Sequence, residues 1–594
     1  MQRRTLIAIA VIALVLVLQQ FLMHQLGLDK PKELPRPPRD TTSAAVDTSA
    51  QPLAAEGRPA SGAGAPGAAL RAGSFSAGES FERSYVLENE LYRAEFSSRG
   101  ARLVRVELKT YRSAHGASGK SRDHEIPPGD RVVLAGGPTL ALDLGAGPTL
   151  RSLSHAAYAV SESTDAAGRV ATLTFTARDS SGARIRQVYR MRPGSYALDL
   201  EVTIEDVPLE WRLSDYTLTT RSWPLLTESN QIEDERALQT VSLVGSDVHR
   251  DRAAGQRDKT RSHVGNVAWV GVQSRYFTAV AGIESAIGKE AGASAWLREL
   301  SPAERAILGA EAPTQQLVAE GRLIVGLPGQ TQPTNRFLIY AGPKDYFQLH
   351  KLGPDLERGV DLGWNWVVPF SKLLLQLLKL LYRVIPNYGV AIILLASLVR
   401  LMLHPLNISS MKSMRAMQRL QPEVERLRTK YKDSPQAMNT ALMALYKENK
   451  VNPAGGCLPL LLQMPIFFAL YSVLFHAIEL RQAPFVLWVN DLSAPDHLFS
   501  IGPLPVRLLP LLMAGSGILQ QRLTPTDPRQ INTMYLMNVF MVVFFYNLPS
   551  GLVLYWTVMN LLTALQQWLL LHEDRGAAPS AVPMPAVAKK RGPK

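Results

Sequence analysis

Five apolar segments follow one another between residues 389 and 571, and none of them contains an Asp or a Glu. They are Gly389–Leu406, Leu458–Ile478, Leu504–Gln521, Ile531–Leu548 and Leu552–Leu571. Each is near the ~20 residues that a helix needs to cross ~30 Å of hydrocarbon. A sixth segment, Leu6–Leu18 extending through Phe21–Met23, follows Arg3 and Arg4. No Ala-x-Ala-like cleavage site comes after it, so it reads as an uncleaved signal anchor with a cytoplasmic N-terminus.

Charge orients these segments. Arg400–Gly455 carries ten Lys/Arg against four Asp/Glu, whereas Leu480–Pro503 has only Arg481 against Asp491 and Asp496. The chain ends Lys589-Lys590-Arg591-Gly592-Pro593-Lys594. Cytoplasmic loops hold the excess of Lys and Arg. Six spans with both termini in the cytoplasm satisfy all of these biases and place the region before residue 360 outside. The formal charge of +13 is then accounted for by topology and anionic lipid, and calls for no sequence-specific nucleic acid.

The region before residue 360 divides in two. Residues 29–80 begin Pro-rich, continue in Ala, Gly and Ser, and cannot bury enough apolar surface to fold. Gly62, Gly64 and Gly67 satisfy G-x-G-x-x-G there, but no strand precedes them and Pro66 interrupts them, so no nucleotide site follows. From Phe81 onward, short segments alternate every second residue. Val170–Ala177, Ile185–Met191 and Tyr196–Ile204 are examples, with Arg192-Pro193-Gly194 turning between the last two. This predicts a large antiparallel, mostly β domain.

Lys372, Gln376, Lys379 and Arg383 then form one helical stripe among leucines, which predicts an amphipathic helix lying on the membrane surface. Met411, Met414, Met417, Leu420, Val424, Leu427 and Tyr431 step by three or four, and Met438, Ala441, Leu442 and Leu445 form a second stripe. They predict a helical hairpin whose stripes pack together. A second reading is contact with emerging apolar segments, since 13 of the 16 methionines lie beyond residue 400. Pro549-Ser550-Gly551 predicts a tight reversal between the last two spans, with Gly551 at positive φ.

The predicted fold class is thus a multi-pass α-helical membrane protein, a signal anchor plus five helices, with a large, mostly β periplasmic domain. Its divisions are an anchor at 1–28, a linker at 29–80, the β domain at 81–360 and an interfacial helix at 361–385. A transmembrane helix at 386–406, the cytoplasmic hairpin at 407–455, a transmembrane helix at 456–479 and a periplasmic loop at 480–503 follow. Three transmembrane helices at 504–571 and a basic cytoplasmic tail at 572–594 complete the chain.

Catalysis needs convergent polar groups, and the sequence offers no catalytic, cofactor-binding or metal-binding set. It has no G-x-S-x-G, no P-loop and no His/Cys pair at ligand spacing, and its single cysteine, Cys457, sits among apolar residues. Arg400 stands out, with Ile392–Val399 before it and Leu401-Met402-Leu403 after it. A guanidinium cannot shed its charge in a protein, and holding it near the bilayer centre costs about 2.5–3.5 kcal/mol by insertion scales. Two readings remain open: it snorkels to the headgroups as an anchor, or it is the fixed charge of a wet cavity. Gln463, Asn538, Asn560, Gln566 and Gln567 either line such a cavity or join helices by hydrogen bonds.

The run Val451-Asn452-Pro453-Ala454-Gly455-Gly456-Cys457-Leu458-Pro459 through Gln463-Met464-Pro465-Ile466 resembles a signature of the YidC/Oxa/Alb insertase family. Glu479 to Phe485 with Leu487-Trp488, Pro549 to Tyr555, and Val399-Arg400 ahead of His404-Pro405-Leu406 resemble it too. The resemblance implies a membrane protein insertase and chaperone in the cell inner membrane, not an enzyme and without a cofactor. It implies a five-helix core forming a hydrophilic groove with Arg400 as its charge. Ser397, Gln463, Tyr555 and Trp556 fall at or beside family positions that contact client chains; Ala396 stands where family members often carry a hydroxyl. The β domain would be supersandwich-like. Implied partners are client integral membrane proteins, the Sec translocon, the ribosome at the hairpin and tail, and anionic lipid. The rival readings are a solute transporter or channel, which calls for paired ionisable groups that these spans lack, and a membrane-tethered carbohydrate-active β domain, which calls for paired carboxylates.

Overall fold

The structure, a computed structural model, describes residues 81–576 apart from 115–125, 135–138, 146–149, 167, 223–226, 229–230, 309–312, 328–332, 354, 450, 452–457, 503 and 525–530. The predicted anchor, linker and most of the basic tail lie outside the described residues, as does Cys457. From Ser84 to Pro343 nearly every element is a strand. The period-two segments become Val170–Arg178, Arg184–Met191 and Ala197–Glu205, which pair antiparallel with Leu198 opposite Met191. Gly194, at φ 63°, makes the turn between the last two.

These three strands belong to a nine-stranded sheet that runs from Asp247–Arg252 at one edge to Ala159–Thr164 at the other. A six-stranded sheet, from Thr260–Val264 to Arg151–Ser152, packs across its face. The sheets approach closely at Gly321, where a Cβ would lie 2.8 Å from Cγ1 of Val270. A four-stranded sheet, Ser84–Glu88, Tyr92–Ser97, Leu103–Arg112 and Arg131–Leu134, closes one end. Trp269, Phe175, Tyr189 and Phe337 are fully buried between these layers, each stabilising the fold by about 1.5–3 kcal/mol through burial.

Two short helices, α1 (Gln231–Ala237) and α2 (Pro302–Leu308), interrupt the strands, and α3 (Tyr346–Leu352) follows them. Asp345 caps α3, its carboxylate accepting from the backbone N–H groups of Phe347 and Gln348. The helical part comprises α4 (Val368–Val384), α5 (Tyr388–Met402), α6 (His404–Arg419), α7 (Gln421–Lys430), α8 (Pro435–Glu448), α9 (Leu458–His476), α10 (Leu509–Leu523), α11 (Ile531–Phe545) and α12 (Ser550–Gly576). Helix α12 is central, packing on α5, α9 and α10, while α4 packs on α5 and α9.

Three expectations are corrected. The stretch Leu504–Val506 is not helical: it pairs with Phe499–Ile501 across a turn in which Gly502 stands at φ 58°, and Leu504, which precedes Pro505, is pushed to extended backbone. The stripe from Met411 to Tyr431 is two helices, since Pro422 starts a new one after Leu420. Ser550 and Gly551 already belong to α12, and Gly551 is not at positive φ. It is needed instead for close approach, because a Cβ would lie 3.0 Å from the Leu492 carbonyl oxygen. Apart from these, among the described residues no single helix is long and apolar enough to cross a membrane. Tyr388–Met402 with Asn407–Arg419, bent by 64°, passes that test as a pair.

The polar stripe of α4 is engaged by protein groups. Lys379 pairs with Asp345 at 3.2 Å and Glu479 at 2.9 Å, and Lys372 lies over the Tyr346 ring. The stripe therefore docks on α3. A wider polar junction joins the β domain to the helices. Arg275 donates from Nε and Nη2 to the carbonyl of Phe475 at the end of α9, and from Nη2 to that of Ser493. Ser472 Oγ donates to the Asp361 carbonyl, and Gln482 Nε2 to that of Arg112. Burial, aided by the Glu228 charge, pushes the Asp234 carboxyl up to about 6. Burial also pushes Lys344 down to about 8.

Candidate functional site

Helix α5 presents three distinct faces. Asn387 caps it, its side chain accepting from the Val390 N–H. Tyr388, Ala391, Ile392, Leu395, Ala396 and Val399 are buried against neighbouring helices. Leu394, Leu398 and Leu401 point outward, Leu401 with 69% of its surface exposed. Between these faces run Ile393, Ser397 and Arg400, all half-buried at spacings of four and three that place them on one side of a helix.

Arg400 is the anomaly of that third face. Its Nε is buried without a hydrogen bond, and among the described residues the guanidinium has no carboxylate partner. Tyr555 on α12 is buried, lies within electrostatic reach of Arg400, and keeps its own hydroxyl unpaired. The structure thus brings Arg400 and Tyr555 together.

The other expected residues fare differently. Ser397 donates to the Ile393 carbonyl at 2.8 Å, so its hydroxyl is satisfied within its own helix. Gln463, on α9, is half-buried and makes no side-chain hydrogen bond among the described residues. Trp556 is set in an aromatic group, edge-on to Phe467 at 5.2 Å and tilted on Phe545 at 5.5 Å. It fastens α12 to α9 and α11.

The remaining amides join helices. Asn560 Nδ2 donates to the Met513 carbonyl and to Ser516 Oγ, Asn538 Nδ2 to Gln521 Oε1, and Gln567 Nε2 to Thr524 Oγ1. Gln566 pairs with His404 across 2.9 Å. Each bridges two segments; of the other expected residues, Arg400 and Tyr555 are brought together, while Gln463 stands on α9 without such a partner among the described residues. Sequence reading missed Phe467 and Phe545, which carry no polar signal, and Glu228, whose partner Arg481 is 253 residues away. Arg275 was findable as a charge just before the apolar run Tyr276–Ala281.

Two family models match. The YidC periplasmic domain covers residues 84–375 and the 60Kd inner membrane protein covers residues 380–576. They meet within α4. A membrane protein insertase YidC from Pelobacter propionicus is 34% identical over 581 residues, spanning 96% of this chain and 98% of that one. Another, from Syntrophus aciditrophicus, is 31% identical over 578 residues, spanning 94% and 98%. A solved structure described as an active YidC insertase with its first transmembrane domain resolved is 19% identical and covers 84% of this chain and 94% of that one, at a TM-score of 0.33.

Fold and matches together define the class: an inner-membrane protein with a mostly β periplasmic-type domain followed by a helical part. The chain belongs to the YidC family, and its function is the insertion of proteins into the membrane.

Proposed function

We propose that client segments enter the membrane along a hydrophilic groove whose fixed charge is Arg400, bordered by Ser397, Gln463, Tyr555 and Trp556. One observation carries this reading: a permanent cation on an otherwise apolar helix, with no anion or acceptor among the described residues. Such a group is stable only where water or a passing polar chain solvates it. Tyr555 adds an unpaired hydroxyl near Arg400, and Gln463 offers an unpaired amide on α9.

In this reading the chain crosses the inner membrane six times with both termini in the cytoplasm, along the divisions given above, and α4 lies along the periplasmic surface. Helices of 15 residues, such as α5, α10 and α11, are about 22 Å long at 1.5 Å per residue. They are matched to a locally thinned bilayer rather than to the usual ~30 Å. The basic hairpin α6–α8 and the tail would meet the ribosome and anionic lipid, and the Sec translocon would share clients.

Photocrosslinking tests the groove. A photoreactive residue at Gln463 or Trp556 should capture a nascent single-span client during synthesis, whereas one at exposed Leu209 of the β domain should not. Equal capture at all three positions would remove the groove from this account.

A further inference from the structure

A cleft of about 520 Å³ opens between α3 and α4 and has no role in the groove. Its floor is apolar, formed by Phe347 and Leu380. Leu380 is 55% exposed and continues into an uncovered stripe along α4 with Leu373 and Val384, 60% and 73% exposed. Three cations line the cleft, but they are not equivalent. Lys379 is neutralised by Asp345 and Glu479. Asp345 is fully engaged, one oxygen capping α3 and the other accepting from Lys379. Lys351 and Arg383 have no ion pair or hydrogen bond among the described residues. The cleft therefore holds two uncompensated positive charges beside an apolar strip, with the Gln376 amide also lining it as a donor.

We propose that this cleft binds an anionic phospholipid of the outer leaflet, its phosphate between Lys351 and Arg383 and an acyl chain along Leu380 and Val384. A zwitterionic headgroup fits less well, because the cleft offers its ammonium no free carboxylate. A free phosphate would leave the apolar strip uncovered. The bound lipid would fill the space between the β domain and the membrane-surface helix, fastening the two through a component of the bilayer. The inference rests on the placement of α4 along the membrane surface proposed above.

The test uses the full chain in nanodiscs of phosphatidylethanolamine and phosphatidylglycerol at 3:1, extracted in mild detergent, with retained lipid counted by mass spectrometry. The wild type should retain phosphatidylglycerol in preference. Lys351→Ala with Arg383→Ala should lower that preference by roughly thirtyfold, about 1 kcal/mol for each basic residue at an anionic surface. Lys351→Arg with Arg383→Lys should restore it. Leu380→Gln, which keeps both charges, should also lower retention. Equal retention by wild type and the double Ala variant overturns the proposal, as does complete displacement by glycerol phosphate. An environment-sensitive dye on Leu373→Cys, in a Cys457→Ser background, separates this inference from its premise. An apolar signal with unchanged lipid retention removes the lipid site alone, whereas a water-like signal removes both.

Discussion

Arg481 and Glu228 form an ion pair across the junction of the β domain and the helices, Nε to Oε1 at 2.7 Å, with the guanidinium side chain only 2% exposed. Arg481 also lies over the Phe277 ring. Removing one partner leaves the other charged and buried, which typically costs about 3–5 kcal/mol. We expect Arg481→Ala to lower the melting temperature in detergent clearly, and Arg481→Met with Glu228→Leu to recover much of the loss. A double variant as unstable as the single one would count against the pair as the cause.

Asp234 should give the same junction a pH dependence. Its carboxyl is raised from 3.8 to about 6 by burial and by Glu228. Between those values the folded chain holds a proton that the unfolded chain has released, so this group's contribution to stability falls as pH rises from about 4 to 6. The effect is on the order of 2 kcal/mol. Asp234→Asn lacks this titration. The difference in melting temperature, variant minus wild type, should therefore become more positive from pH 4 to pH 7; a flat difference would contradict the assignment.

Two glycines mark close approaches that substitution should disrupt. A Cβ on Gly389 would fall 2.0 Å from Cδ2 of Phe485, and one on Gly551 would fall 3.0 Å from the Leu492 carbonyl oxygen and 3.3 Å from Ile392 Cδ1. Gly389→Ala and Gly551→Val should each cost about 1–3 kcal/mol by overpacking. Thermal unfolding in detergent measures this, and unchanged melting of both would show that the contacts yield freely.

Arg400 should separate clients by charge. Replacement by Lys keeps the charge and should retain much of the activity, Ala should lose more, and Glu should be worst. A charge-assisted contact of about 1.5–3 kcal/mol corresponds to roughly tenfold or more. Insertion of a client with an acidic translocated tail should fall by that factor in Arg400→Ala, and a neutral-tailed client much less. Purified variants reconstituted at matched levels measure both, and equal loss for the two clients would sink the electrostatic role.

The β architecture was legible because strand alternation is local: Leu173, Phe175 and Ala177 turn inward whatever lies elsewhere in the chain. Arg400 was legible for the same reason, since its neighbours in sequence are its neighbours on the helix. What was not legible depends on partners remote in sequence. Gly551 looked like a turn residue until Leu492 was placed beside it. Lys379 was only one member of a polar stripe until Glu479, a hundred residues away, was found against it. The amides of α11 and α12 carried two readings because sequence does not say which helices touch.

Those amides have a consequence for what the protein can tell apart. A site recognises sequence through directional donors and acceptors that match some partners and leave others unsatisfied. Here Asn538, Asn560, Gln566 and Gln567 already have internal partners. A segment passing Arg400 would meet one diffuse charge, a buried tyrosine and a single amide. So few contacts encode almost no vocabulary. Discrimination would rest on how much charge a segment carries and how long its apolar stretch is, and chains with nothing else in common would be handled alike.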